Sequence, residues 1–205
     1  YDALKCQNDD GSTFYVFYDR LQIVQSRKLP SFIENSDCRL TLYRNCRNTM
    51  SIAKTAFSLF RDRNPDCNGV TGKVPRIHFI RNDSCEDTVD AIIMELKNAG
   101  IDDIVILTCV KENASGLAEF VRNGTYKNEC HFSTVRKFKG LEADAVILID
   151  LNEAIFENEG LLFYVGCSRA RIRLEIVTDM DDSRCLRVMK SLSHENDTGK
   201  NPMRL

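Results

Sequence analysis

Between residues 76 and 178 short apolar runs alternate with amphipathic segments that close on glycine, and this alternation constrains the fold more than any other feature. Residues 76–80, 104–109, 131–135, 145–149 and 174–178 read as strands. Residues 86–99, stopped by Gly100, and 115–122, stopped by Gly124, read as helices, and two more are expected at about 160–170 and at 183–192. The run 145–149 (AVILI) carries no polar alternation, so both of its faces must be covered. Strands of this kind separated by helices build a parallel sheet sandwiched by helices, and the expected class is α/β.

The first third is less regular. The aromatic run 14–18 reads as a buried strand that delivers Asp19, Arg20 and Gln22 to a loop. Pro30 opens a brief helix to Glu34, and residues 39–43 read as a strand leading into the polar cluster Arg44, Asn45, Arg47 and Asn48. Thr49 is suited to cap a helix in which Ile52, Ala53, Ala56, Phe57 and Phe60 repeat with helical period. Residues 64–75, with Pro65, Gly69 and Gly72, read as a loop, and 193–205 as a flexible, frayed tail.

Bulk numbers exclude more than they identify. A formal charge of −2 provides no global basic field, so any nucleic-acid contact must come from local patches. The nine cysteines show no CxxC and no paired His spacing, which suits reduced thiols of a cytoplasmic protein better than a disulfide framework. His78, His131 and His194 have no partner spacing for a metal. No stretch approaches the ~18 consecutive apolar residues of a membrane span. The start at Tyr1, without Met or an apolar leader, reads as a cut.

The segment 134–150 (TVRKFKGLEADAVILID) places a charged, glycine-containing turn between two strands. Arg136, Lys137 and Lys139 repel one another on so short a loop unless they are solvated or face phosphate, and Gly140 lets the backbone approach a ligand. Arginines at strand ends and helix starts, here Arg47 and Arg169, suit phosphate oxygens because guanidinium offers a planar, permanently charged fork of donors.

In order and wording these clusters resemble the later motifs of superfamily 1 DNA helicases of the UvrD/Rep-like group, and most closely the compact helicases found with nuclease-related domains. FYDRLQIVQ resembles motif III, LTLYRNCRNT motif IV, TVRKFKGLEADAVIL motif V, and FYVGCSRAR motif VI. The resemblance implies a RecA-like second helicase lobe over 39–192, preceded in 1–38 by a remnant of the first lobe. It implies that Gln22 senses the γ-phosphate, and that Arg47 and Arg169 reach it across the lobe cleft as arginine fingers. Such fingers are worth roughly a thousandfold or more in rate. Glu142 would lie near the ribose with Gly140 keeping the turn open, and Thr134 and Arg136, with Lys137 beside them, would face the DNA backbone. On this basis Arg169→Ala is expected to abolish DNA-stimulated hydrolysis while sparing the fold, and Arg171 and Arg173 are expected only to complement a helix dipole.

The sequence departs from that family at Cys46, where an aromatic residue often stacks on adenine, and at Arg136, where many relatives carry His. The interval between motifs IV and V holds two β/α units and leaves no room for a large inserted domain. Nothing reads GxxxxGK[ST]; the nearest string, residues 69–73 (GVTGK), is followed by Val74. ATP and Mg2+ are therefore expected to be held mainly by a first lobe, with single-stranded DNA and that lobe as partners, and this piece is expected to be inactive alone. The alternative expectation is a non-catalytic lobe that serves as an interaction or nucleic-acid platform.

Overall fold

The structure, a computed structural model, describes residues 16, 31–35, 38, 40, 44–59, 66–67, 69–80, 84–117, 130–185 and 187. Most of the expected strand at 14–18, Gln22, most of the strand at 39–43, residues 118–122, 186 and 188–192, and residues 193–205 lie outside them.

Five parallel strands form the sheet: β3 (Arg76–Phe79), β4 (Ile104–Thr108), β5 (His131–Thr134), β6 (Ala143–Leu151) and β7 (Ala170–Thr178), in the order β3-β7-β6-β4-β5. A separate parallel pair joins β1 (Arg44–Asn45) to β2 (Asp66–Cys67). Among the described residues the helices are α1 (Ser31–Glu34), α2 (Met50–Ala56), α3 (Cys85–Asn98) and α4 (Glu153–Cys167), and residues 182–185 are also helical. The expected α/β class is the one adopted.

Strand parity explains the two-faced core. On β4 and β6, Val105, Leu107, Val146 and Leu148 pack with Phe156, Leu162 and Phe163 of α4 and Ile52 and Ala56 of α2. Their neighbours Ile104, Ile106, Ala145, Ile147 and Ile149 pack on the opposite side with Val89, Ile92, Ile93 and Leu96 of α3. Those four α3 residues follow helical spacing, and α3 is bounded by clear signals. The Ser84 Oγ accepts from the Asp87 amide at 3.0 Å, Glu86 and Asp87 sit in the positive first turn, and Gly100 follows with φ 77°.

Parity breaks twice, where the β6–β7 register shifts between Ala143 and Ala145 and again at Asp150. Asp150 has φ 57°, and the second register shift lies between Leu148 and Leu151. The extra residue lets Leu151 rejoin the α4 side in place of Asp150, whose carboxylate instead accepts from Thr108 Oγ1.

Several boundaries differ from expectation: β2 lies inside the expected loop 64–75, β6 extends beyond 145–149 at both ends, and residues 116–117, expected in a helix, form a turn after the 3-10 turn Glu112–Ala114. The helix expected at 160–170 begins at Glu153, because the Asn152 side chain accepts from the Ile155 amide at 3.0 Å, and it ends at Cys167. Strand β7 then starts at Ala170 instead of residue 174, so Arg171 and Arg173 are strand residues and do not serve a helix dipole.

Arg173 belongs to a buried charge cluster on the α3 side. The fully buried Glu175 carboxylate receives Arg76 through two nitrogens at 3.0 and 3.1 Å, Arg173 Nη2 at 2.7 Å and His78 Nε2 at 2.9 Å. Burial pushes this carboxyl up, but the hydrogen bonds from His78, Arg76 and Arg173 outweigh it and hold the group down at about 2. Because the folded value lies below the ordinary 4.5, this stabilisation is complete above that pH and is lost as pH falls toward 2. Glu175→Gln removes the main partner of the buried Arg173 and leaves Arg173 and Arg76 only Glu95, at 3.6 and 2.8 Å; it is expected to cost about 3 kcal/mol in urea denaturation, with a shallower loss of stability below pH 4.5. Wild-type stability in that variant would contradict the cluster's role.

The GVTGK string packs against the start of α2. The Val70 and Thr71 carbonyls accept the Met50 and Ser51 amides at 2.8 and 3.0 Å. These carbonyls take over the capping expected of Thr49, whose side chain makes no cap bond. A phosphate loop presents N–H groups to an anion, whereas this loop presents carbonyls to N–H groups. Gly72 has φ 68°, and a Cβ there would come within 2.4 Å of the Thr49 Cβ. Gly72→Ala is expected to destabilise the fold by about 2 kcal/mol, read as a lower urea midpoint at unchanged slope.

Candidate nucleotide rim and nucleic-acid groove

The predicted site residues separate onto the two opposite edges of the sheet. β5 ends at Thr134, which is level with Thr108 and, one strand further, with Ile149. The chain re-enters the sheet at Ala143, six residues before Ile149, so residues 135–142 cross about 20 Å at about 3.3 Å per residue. The loop therefore spans the sheet from its carboxyl edge to its amino edge. It is anchored by buried Val135 and Phe138, by the Phe138 amide on the Thr134 carbonyl at 3.0 Å, and by the Lys137 amide on Thr134 Oγ1 at 3.1 Å. Gly140 adopts φ 91°, and a Cβ built there meets nothing within 4 Å. Its glycine serves the left-handed turn, not a close approach to a neighbour.

At the amino edge, Arg47, Glu142 and Arg169 come together. Arg47 Nε lies 2.7 Å from Glu142 Oε2, with both side chains 40% exposed. Arg169 Nη1 donates to the carbonyl of the adjacent Leu141 at 3.2 Å. Thus Arg47 and Arg169 meet consecutive residues of the crossing loop. Their postures differ, however. Arg169 is only 1% exposed, with Nε on the Val165 carbonyl at 3.1 Å and Nη2 on Ser168 Oγ at 3.0 Å. It secures the last turn of α4 to the crossing loop, so its removal is expected to destabilise the fold, where the resemblance implied a variant that spares it.

Sequence reasoning missed two contributors to this rim. Arg171 pairs with Asp144 at 2.7 Å, with Asp103 at 3.4 Å and with Glu142 at 3.7 Å. Glu142 is thereby shared by two guanidiniums. Asn48, buried, donates through Nδ2 to the carbonyls of Ser168 at 3.1 Å and Ala170 at 2.5 Å, the residues on either side of Arg169. The polar run Arg44–Asn48 was visible in the sequence; its carbonyl partners in the motif VI segment were not.

At the carboxyl edge, Thr134, Arg136 and Lys137 line an open groove of about 510 Å³ with Val110, Lys111 and Glu112. Arg136 is exposed, and Lys137 Nζ pairs with Glu112 at 2.6 Å. Thr134 is largely buried and is occupied by the loop's own amide. Gln22 lies outside the described residues, so its place relative to either edge is not part of this geometry.

All cysteines among the described residues are free. Burial pushes the Cys109 and Cys167 thiols up, and the Cys85 thiol up to about 11. Among the described residues no group of three or more His, Cys, Asp or Glu could hold a metal ion, and no helix is long and apolar enough to cross a membrane.

Residues 129–177, which contain the crossing loop, α4 and most of β7, match the family model of the UvrD-like helicase C-terminal domain. The chain is also similar to a solved structure, the C-terminal domain of a possible DNA helicase from Lactobacillus plantarum WCFS1, at 20% identity and a TM-score of 0.55. That alignment covers 72% of this chain and 96% of the other, and it shows a shared RecA-like α/β fold. No curated protein matches the chain.

Proposed function

We propose that this chain is the second RecA-like lobe of an ATP-dependent superfamily 1 DNA helicase, with its amino-edge rim facing nucleotide held by a first lobe and its carboxyl-edge groove facing single-stranded DNA. The observation that carries the reading is the convergence of Arg47 and Arg169 on Leu141 and Glu142, one end of a loop whose other end lines the basic groove. One loop thus touches both faces, so a displacement at the rim is passed to the groove.

The rim suits a triphosphate and a ribose in kind, with guanidinium donors for phosphate oxygens and a carboxylate for a hydroxyl. ATP with Mg2+, gripped by the first lobe, would supply the phosphoryl group that is transferred. Arg47 is placed to leave Glu142 for a phosphate oxygen, because a half-exposed surface pair is worth only about 0–1 kcal/mol. Glu142 keeps a partner in Arg171 when Arg47 departs. Arg169 holds the rim in shape from beneath. Cys46 is exposed beside Arg47, and adenine stacking from that position is not part of the proposal. Hydrolysis by this piece alone is not expected, and the setting is cytoplasmic.

The DNA face is tested by replacing Arg136 and Lys137 together with alanine. Single-stranded oligonucleotide affinity is expected to fall about tenfold at low salt, with a shallower dependence of log K on log salt. Unchanged affinity and slope would move the DNA contact elsewhere and favour an interaction lobe that binds no nucleic acid.

A further inference from the structure

We infer that Asn48 is a positioning residue that sets the Arg47 loop in register with the Arg169 turn, an inference that rests on the proposed nucleotide rim. Arg47 sits on a tight turn organised from both sides. The Asn45 Oδ1 accepts the Arg47 and Asn48 amides, each at 3.1 Å, and Asn45 Nδ2 donates to Asn48 Oδ1 at 2.9 Å. Asn48 therefore spends its acceptor on the turn and its two-proton nitrogen on the Ser168 and Ala170 carbonyls. The next amide, Thr49, continues this seam to the Arg171 carbonyl at 3.3 Å. Arg47 itself touches the rest of the rim only through an exposed ion pair. Its position is thus dictated by a buried side chain that never meets nucleotide.

A misplacement of about 1 Å in a group that stabilises transferred charge costs on the order of a hundredfold in rate. Asn48→Asp keeps the shape and the acceptor but loses the donor and sets a carboxylate against two carbonyl oxygens. In the polypeptide that joins this chain to its first lobe, the variant is expected to lower kcat for DNA-stimulated ATP hydrolysis at least tenfold with little change in KM. In an Arg47→Ala background the same substitution should have almost no further effect, because it acts through Arg47. In the present chain, amide exchange should speed up at residues 45–49 and stay unchanged in β4 and β6.

Wild-type kcat in Asn48→Asp, or a loss that persists in full without Arg47, overturns the inference. So does unchanged exchange at 45–49. Asn48→Ala, which adds no charge, gives the same reading should the aspartate variant not fold. If Arg47→Ala alone turns over normally, the nucleotide reading of the rim fails instead, and the exchange measurement decides whether Asn48 fixes the loop.

Discussion

Arg47→Ala, introduced into the polypeptide that carries both lobes, is expected to lower DNA-stimulated ATP turnover by about three orders of magnitude while leaving the fold intact. The two halves of this expectation have separate causes. The side chain is 40% exposed and its structural contact is a surface ion pair, so stability should move by no more than about 0.5 kcal/mol. Under the proposed function its chemical value would lie in a planar fork of donors for charge that develops during transfer. Arg47→Lys keeps the charge but not the fork, and should restore only part of the rate. Turnover within a few-fold of wild type in the alanine variant, with unaltered thermal melting, would remove Arg47 from the chemistry.

The second large effect is on stability. Arg169→Ala deletes the hydrogen bonds to the Val165 and Leu141 carbonyls and to Ser168 Oγ, and opens a cavity at one of the largest fully buried side chains of the molecule. A cost of about 3 kcal/mol follows, or roughly 6–12 °C in Tm for a domain of this size. Loss of turnover in this variant is therefore ambiguous unless it is measured well below the midpoint. A melting temperature within a degree or two of wild type would show that the buried bonds contribute little.

Much of this architecture was legible because parallel strands buried on both faces leave a simple trace. Residues 104–109 and 145–149 could be placed because short runs rich in Ile and Val, bounded by polar residues, suit a strand covered on both faces. β7 was harder. Arg171 and Arg173 made its first half read as the end of the preceding helix, because part of what neutralises them, Asp144 on β6 in one case and Glu95 on α3 in the other, lies far away in sequence, although Glu175 sits on β7 itself. The start of α4 was missed although Asn152 three residues before Ile155 was a usable cap signal and Glu153 suits the first turn.

At the rim, the sequence pattern identified Arg47, Glu142 and Arg169 together, and the fold does bring them together. It could not distinguish an exposed arginine from one that is buried and bonded to carbonyls, since exposure depends on where Val165 and Leu141 fall in space. Nor could it reveal that the loop 135–142 crosses from one edge of the sheet to the other, which depends on strand order.

ATP hydrolysis by the polypeptide that joins this chain to its first lobe, measured with and without a single-stranded oligonucleotide, tests the central claim most directly. Turnover that rises several-fold on adding the oligonucleotide, and that loses this rise when Arg136 and Lys137 are replaced, is the predicted result. Turnover that is absent, or indifferent to the oligonucleotide, would contradict it.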